Sequence, residues 1–479
     1  GDDDQSIYSW RGADVNNILN FSDSFGEAQI IKLEQNYRST KTILDCAWSV
    51  VSQNNSRAEK KLWTDNGVGD RVSLISCQDE RDESWNVLKV IRKEAIDGDF
   101  GFDDLVILYR TNAQSRVIED VLRREGIPYE IIGGIKFYAR KEVKDVLAYL
   151  RLIINPTDGV SFDRIVNFPP RGIGKTSIEK IHDCAKEKNL TYLEVLDNLD
   201  SLSVGLKQKE SLNQFNQLIH KFQNAYKNQN ASIITRDLLL DIDLQSYYEN
   251  QSTQEALDRW RNIEELVNSI IDFQDNKPES TLREFLEEVS LLTDIDRWNE
   301  SDKAVTLMTI HSAKGLEFPI VLVAGLEEGL FPLGPQTYEL DEIEEERRLF
   351  YVAMTRAEQK VYLSYANTRR RFGGPPIPSI VSRFINEIPE NLIESNEKRN
   401  APLYDRKVSF RDSYKASSLQ KSPLDSGDIV SHKLFGRGKI LAVEGEGDSA
   451  KITILFGGNV RKKLIAKYAN LTPLKSTIV

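Results

Sequence analysis

Two arginines open the chemical reading of this chain. A guanidinium keeps its charge at all ordinary pH values and forks onto phosphate oxygens. Arg356 closes residues 345–358, in which Leu349, Val352, Ala353 and Met354 recur at helical spacing. Lys360-Val361-Tyr362-Leu363-Ser364-Tyr365 follows at once and reads as a strand. Arg356 therefore falls where a helix gives way to a sheet, a position at which α/β folds hold ligands. Read on its own, the stretch is better explained by a surface arginine paired with Glu358 or a neighbour. The rest of the chain reverses that.

The second arginine lies in Gln35-Asn36-Tyr37-Arg38-Ser39-Thr40, between an expected strand and a helix start. A helix start offers free N–H groups and a positive dipole end, both suited to phosphate. Arg38 adds a cation and Tyr37 a flat face for a base; read alone, the stretch is better explained by a capping turn whose Arg38 pairs with an acid. His311-Ser312-Ala313-Lys314-Gly315-Leu316-Glu317-Phe318 joins two apolar runs. Polar groups between core strands need partners, and loops at strand ends are where ligands bind. Gln5-Ser6-Ile7-Tyr8-Ser9-Trp10-Arg11 interleaves aromatics with a cation. That pattern suits single-stranded nucleic acid, since any base stacks on a ring for roughly 1–3 kcal/mol, although Trp10 is equally a core residue.

Three other features imitate chemistry. Asp2-Asp3-Asp4 resembles a metal cluster, but charge runs are usually solvated and that reading is preferred. Gly172-Ile173-Gly174-Lys175-Thr176 resembles the end of a P-loop, yet Pro169 stands where that loop needs glycine. Gly438-Lys439 lacks both that glycine and a following Ser or Thr. Gly172 to Lys175 is better read as a tight turn ahead of a helix, its amides open to a backbone phosphate or merely structural.

The elements that must position these groups follow from periodicity. Gln29 to Leu33 reads as a short buried strand, and Ser39 as the cap of a helix with Ile43, Leu44, Ala47, Val50 and Val51 on one face. Arg71 to Ile75 and Leu105 to Tyr109 read as strands flanking a helix from Glu83 to Ala95, which implies crossovers and a parallel sheet. Residues 142–298 are almost wholly helical in pattern. The apolar runs at 304–308 and 320–324 then resume the sheet. Residues 390–424 are polar and read as a linker. Short strands with glycine turns follow from Gly427 as a small β module.

At 479 residues the chain needs two to four domains. Its net charge of -11 gives no global attraction to polyanions, so nucleic-acid contact must come from local patches. No apolar run is long enough to span a membrane. The three cysteines, Cys46, Cys77 and Cys184, and four histidines form no metal spacing or disulfide framework, which suits a cytoplasmic protein without a structural metal.

Taken in order, these stretches resemble the UvrD/Rep/PcrA-type superfamily 1 DNA helicases over essentially the whole chain. The signature comprises residues 1–13, Gln35 to Ser39, Gly133-Gly134-Ile135-Lys136-Phe137, Arg171 to Gly174, Thr309 to Phe318 and Glu346 to Ala357. The resemblance implies an α/β, RecA-like parallel-sheet domain with an inserted all-helical domain and a small C-terminal tudor-like β-barrel. The corresponding divisions are 1–34 for the end of a first RecA-like domain, 35–131 and 304–392 for the second, 132–303 for the insertion, 393–424 for a linker and 425–475 for the β module. It implies that Gln5 senses the γ-phosphate of ATP, Tyr37 stacks on adenine, Glu317 contacts ribose, and Arg38 and Arg356 clamp the γ-phosphate. Tyr8, Trp10, Arg11, His311 and Phe372 are expected to contact single-stranded DNA, and Gly172, Gly174 and Lys175 the duplex at a junction. The β module is expected to meet RNA polymerase or repair proteins.

The family's P-loop lysine and its Asp-Glu box, which hold the phosphates and Mg2+, are not found in these residues. The chain starts with Gly1 inside a motif, so an N-terminal portion is expected to be missing. The expectation is therefore a 3′-to-5′ ATP-dependent DNA helicase whose present polypeptide alone cannot hydrolyse ATP. The alternative is a non-catalytic DNA- or RNA-polymerase-binding protein derived from such an enzyme. A helicase-nuclease half is a further reading, against which the small β module ending at Val479 argues.

Overall fold

A computed structural model of the chain describes residues 2–9, 12–26, 28–227, 229–298, 303–334 and 340–395, and the strand residues 429–432, 436–444, 451–456, 460–465 and 471–473. The chain divides into two units, Gly1–Asn400 and Ala401–Val479.

In the first unit the strands are β1 (Val72–Cys77), β2 (Leu105–Tyr109), β3 (Tyr129–Ile131), β4 (Val305–Thr309), β5 (Phe318–Val323), β6 (Ala357–Ala366), the two-residue β7 (Thr368–Arg369) and β8 (Ile377–Pro378), and β9 (Ile393–Ser395). Seven of them form one sheet in the order β3-β4-β2-β5-β6-β1-β9, with every neighbouring pair parallel. β7 and β8 pair separately. Every residue of β2 is buried, as a strand covered on both faces requires. Its side chains divide with period two: Val106 and Leu108 enter one core, Leu105, Ile107 and Tyr109 the other. The Lys41–Val51 and Leu340–Met354 helices cover the first face, and the Glu80–Ile91 and Ser115–Arg124 helices the second.

β3 and β4 are neighbours in the sheet, yet the chain between them supplies the helices from Lys141–Ile154 to Leu282–Trp298, which bury a core of their own. The Gln254–Asn276 helix fastens these helices to the sheet. Its Asp272 receives Arg116 Nη2 at 2.9 Å and Arg81 Nε at 3.0 Å, and its Glu265 receives Arg116 Nε at 2.9 Å.

The structure departs from the sequence expectations in several places. Residues 29–33 form no strand and do not pair with the sheet, and Ile30, Ile31 and Leu33 are exposed; nearby, a lone bridge joins Gln35 to Trp63. Thr40, not Ser39, is the N-cap residue, because the Ser39 hydroxyl is already committed to the Ala357 carbonyl at 2.6 Å. The second-face helix starts at Glu80, before the expected Glu83, because the Asp79 carboxylate caps the amides of Arg81 and Asp82; beyond Ile91 it continues as a π-turn, Arg92–Ile96. Residues 393–395, expected in the linker, form the edge strand β9 beside β1.

Asp2-Asp3-Asp4 is also not a solvated run. Asp3 and Asp4 are buried, Arg57 grips Asp4 through Nε at 3.1 Å and Nη2 at 2.9 Å, and Lys60 bonds Asp2 and Asp3. Burial pushes the Asp3 carboxyl up, but the Lys60 hydrogen bond, the Ala58 amide and the Lys60 charge outweigh it, and the net shift is downward.

The second unit is a five-stranded antiparallel sheet of β10 (Ile429–His432), β11 (Gly436–Glu444), β12 (Lys451–Phe456), β13 (Val460–Ile465) and β14 (Leu471–Pro473), in the order β13-β12-β11-β10-β14. A register shift between Ile440 and Ala442 bends β11, and Ile440, Ile452 and Ile454 are buried.

Candidate functional site

Arg356 follows the Leu340–Met354 helix and immediately precedes β6. Its guanidinium is 2% exposed and bonds neutral oxygens: Nε donates to the Val352 carbonyl at 3.1 Å, Nη1 to the Leu316 carbonyl at 3.0 Å and Nη2 to the Thr355 hydroxyl at 3.3 Å. Among the described residues no carboxylate pairs with it directly. Burial first, and the charge of Arg38 second, lower its pKa to about 10, so it stays protonated at neutral pH.

Arg38 comes to the same place from the other side. Its Nη1 donates to the Thr355 carbonyl at 3.0 Å and its Nε to Glu317 at 2.6 Å. Two guanidinium groups thus converge on Thr355 with one carboxylate, on Arg38, an arrangement that still lacks negative charge. The turn that aims Arg38 is set by Asn36, whose side-chain oxygen accepts the amides of Arg38 and Ser39 at 2.9 and 2.8 Å. Tyr37 is 78% exposed, with its hydroxyl donating to Gln35.

The helix start beside this turn does not offer the free amides expected of it. Thr40 N donates to Glu358, Lys41 N to the Gly67 carbonyl and Thr42 N to the Val68 carbonyl. Anion binding here therefore falls to the arginines. Arg356 and Glu317 also stand at the amino ends of β6 and β5, whereas ligands of parallel sheets usually sit at the carboxyl ends; His311, following β4, does lie at such an end.

The turn after β4 serves two places. At its start, the His311 carbonyl accepts the Tyr8 hydroxyl at 3.0 Å and the two rings lie 6.3 Å apart. At its end, Leu316 and Glu317 hold Arg356 and Arg38. Between them, Lys314 Nζ lies 5.1 Å from the Tyr8 ring centroid and donates to the Gln5 carbonyl at 2.8 Å. The Gln5 side-chain amide donates to Asp2 at 2.7 Å.

Not every expected residue joins this group. Trp10 and Arg11 lie outside the described residues. Phe372, at φ 45°, packs 5.4 Å from Trp260 against the helical core, away from Tyr8 in the contacts it makes. Gly172 and Gly174 form a turn in the helical segment, tied by Asn167 accepting the amides of Arg171 and Ile173, and Lys175 is exposed at the following helix start. Lys314 joins the group although the motif alone assigns it no role; its place between His311 and Glu317 is the signal that points to it. Arg57 and Lys60, partners of the aspartates, carry no local signal, since their counter-ions lie more than fifty residues away in sequence.

Residues 31–368 match the UvrD-like helicase C-terminal domain, residues 1–26 the UvrD/REP helicase N-terminal domain, and residues 426–473 the PcrA/UvrD tudor domain. The chain belongs to the UvrD-like helicase family. It is 41% identical over 490 residues to the ATP-dependent DNA helicase PcrA of Bacillus subtilis (strain 168), and 40% identical over 481 residues to that of Staphylococcus aureus (strain Mu50 / ATCC 700699). Each alignment covers 98% of this chain and 66% of the relative.

Proposed function

We propose that these residues form the second motor domain, helical insertion and tudor module of an ATP-dependent DNA helicase that moves 3′ to 5′ on single strands. The observation that carries the reading is the convergence of Arg38 and Arg356 on Thr355, with Arg356 buried and without a direct counter-ion. ATP supplies a transferable γ-phosphoryl group whose charge such a pair would clamp, and Tyr37 would cover the adenine. Glu317, already bonded to Arg38, would meet the ribose, and Gln5 would report on the phosphate. Tyr8, Trp10, Arg11 and His311 would bear on single-stranded DNA, with Phe372 as a further stacking ring. The turn at Gly172, Gly174 and Lys175 would bear on the junction duplex.

The two motor domains would share ATP only when their cleft is shut, so nucleotide favours closure by its differential affinity. No group of acidic, histidine or cysteine side chains suited to a metal occurs among the described residues, and Asp2, Asp3 and Asp4 are committed to Lys60 and Arg57. Mg2+ would thus be held with the phosphate loop, a motif these 479 residues lack, and this polypeptide alone would not turn over ATP. The tudor module would contact RNA polymerase or repair proteins.

The test is turnover by the complete protein and by this chain, with and without single-stranded DNA, together with unwinding of duplexes carrying a 3′ or a 5′ tail. DNA-stimulated hydrolysis and 3′-tail preference in the complete protein are expected. A 5′-tail preference, or turnover by this chain alone, would overturn the corresponding part.

A further inference from the structure

We infer that Gly133 positions the turn carrying His311 and Lys314, and so links the helical insertion to the nucleic-acid contact proposed above. β3 ends at Ile131, and Ile132 continues the pairing by donating its amide to the Leu307 carbonyl at 3.0 Å. At Gly133 the chain turns with φ +70°, in the left-handed region that favours glycine. A Cβ at this position would lie 2.8 Å from Ser312 Oγ and 3.3 Å from Ser312 Cβ. Ser312 in turn is fixed to the end of β4, its amide donating to the Thr309 carbonyl at 2.9 Å and its hydroxyl lying 3.0 Å from that of Thr309. The backbone of residue 133 is therefore packed directly against the residue that follows His311.

The other end of this contact leads into the helices. Arg140 Nε donates to the Ile135 carbonyl at 3.1 Å, just beyond the glycines. Its Nη1 reaches the Asn112 carbonyl and the Asn262 side chain, both at 2.9 Å. Asn262 belongs to the Gln254–Asn276 helix, the one fastened to the sheet by Arg116 and Arg81. A continuous path of contacts thus runs from that helix through Arg140 and the Gly133 turn to Ser312, His311 and Tyr8. A contact this close leaves no slack for either side to move alone, so a shift of the insertion would be passed to the turn.

Gly126 provides the control. It has φ +67° but nothing within 4 Å of the Cβ it lacks, so alanine there adds the backbone strain without the collision. Hydrogen exchange of the 479-residue chain reads the outcome at the amides of Ile310, Ser312, Ala313 and Leu316, which are bonded within the turn, to the end of β4 or to β2. Gly133→Ala is expected to speed exchange there by about tenfold while Gly126→Ala leaves it unchanged. Ser312→Gly, which removes both colliding atoms, should restore protection in the double variant. Should Gly133→Ala fail to fold, Ser312→Thr loads the same contact from the opposite side and should show the same local loss.

Equal effects of the two glycine variants, or no rescue by Ser312→Gly, would overturn the inference. In the complete protein, Gly133→Ala should raise the single-stranded DNA concentration that half-saturates hydrolysis several-fold with KM for ATP unchanged. An unaltered DNA requirement would overturn the functional half. The inference rests on the proposed helicase reading, but the exchange experiment does not: absent DNA-stimulated turnover in the unaltered complete protein would refute that reading alone.

Discussion

Arg38 and Arg356 meet at one residue: the first donates to the carbonyl of Thr355, the second to its hydroxyl. Like charges are held together here by neutral oxygens, and the one carboxylate at hand, Glu317, pairs with Arg38 alone. Such a pair is stable because its hydrogen bonds are satisfied, yet it keeps an unmet demand for negative charge.

If the pair clamps a transferring phosphoryl group, Arg356→Ala in the complete protein should lower kcat by about 10³-fold or more, since arginine fingers contribute on that scale. Nucleotide binding should largely survive. Stopped-assay turnover beside equilibrium binding of a fluorescent nucleotide separates the two, and unchanged turnover would count against the role.

The depressed pKa of Arg356 has a stability consequence. Between the folded value of about 10 and the higher ordinary guanidinium range the unfolded chain holds more protons, so this group's contribution to stability rises with pH across that window. Below it, the buried cation is a constant cost. Arg356→Met should therefore leave the ligand-free chain within about 1 kcal/mol of the original, or more stable, in urea unfolding at pH 7.5. A loss well beyond that would mean the guanidinium's hydrogen bonds outweigh its buried charge.

Asp4 behaves oppositely, since it is buried with its partner. Removing one member of a buried ion pair strands the other, and Asp4→Ala should cost about 3–5 kcal/mol by leaving Arg57 unmatched. Asp3, whose folded pKa lies below 3.8, contributes stability that is present above that value and lost as pH falls through the folded one. Asp3→Asn should flatten that acid limb in a pH series of urea midpoints; an unaltered limb would refute the assignment.

Asp272 is the hub between insertion and sheet. Burial pushes its carboxyl up, but Arg116 and Arg81 more than reverse this. Asp272→Asn should destabilise the chain by about 3 kcal/mol and weaken the effect of a simultaneous Arg81→Ala, because the two share one interaction. A double-mutant cycle with additive costs would show them to be independent.

Tyr37 touches little, so Tyr37→Ala should change unfolding free energy by no more than about 0.5 kcal/mol. In the complete protein it should raise KM for ATP by roughly tenfold, equivalent to about 1.4 kcal/mol. Equal KM values would remove the stacking role.

The middle of the sheet was legible because β2, β4 and β5 are mostly apolar: the expected and observed limits of Leu105–Tyr109 coincide, and the runs at 304–308 and 320–324 fall within a few residues of β4 and β5. β3 was missed since three residues, one of them Glu130, carry no period. Charge was harder to read than hydrophobicity. Asp3 and Asp4 look solvated until Lys60 and Arg57 are brought to them, and the amides ahead of Ile43 look free until Gly67 and Val68 occupy them. Both depend on partners distant in sequence, which local patterns do not record. The motif residues Arg38, Glu317 and Arg356 were recognisable, but the convergence of the two arginines on Thr355 belongs to the tertiary fold.

The helices depart from β3 at the rim of the sheet and return to its neighbour β4, leaving the middle of the sheet uninterrupted. The chain thus enters and leaves the appendage at one rim, while Asp272 and Glu265 moor it a second time to the helices laid over the sheet, so the appendage is held by a hinge and a latch rather than by a single stalk.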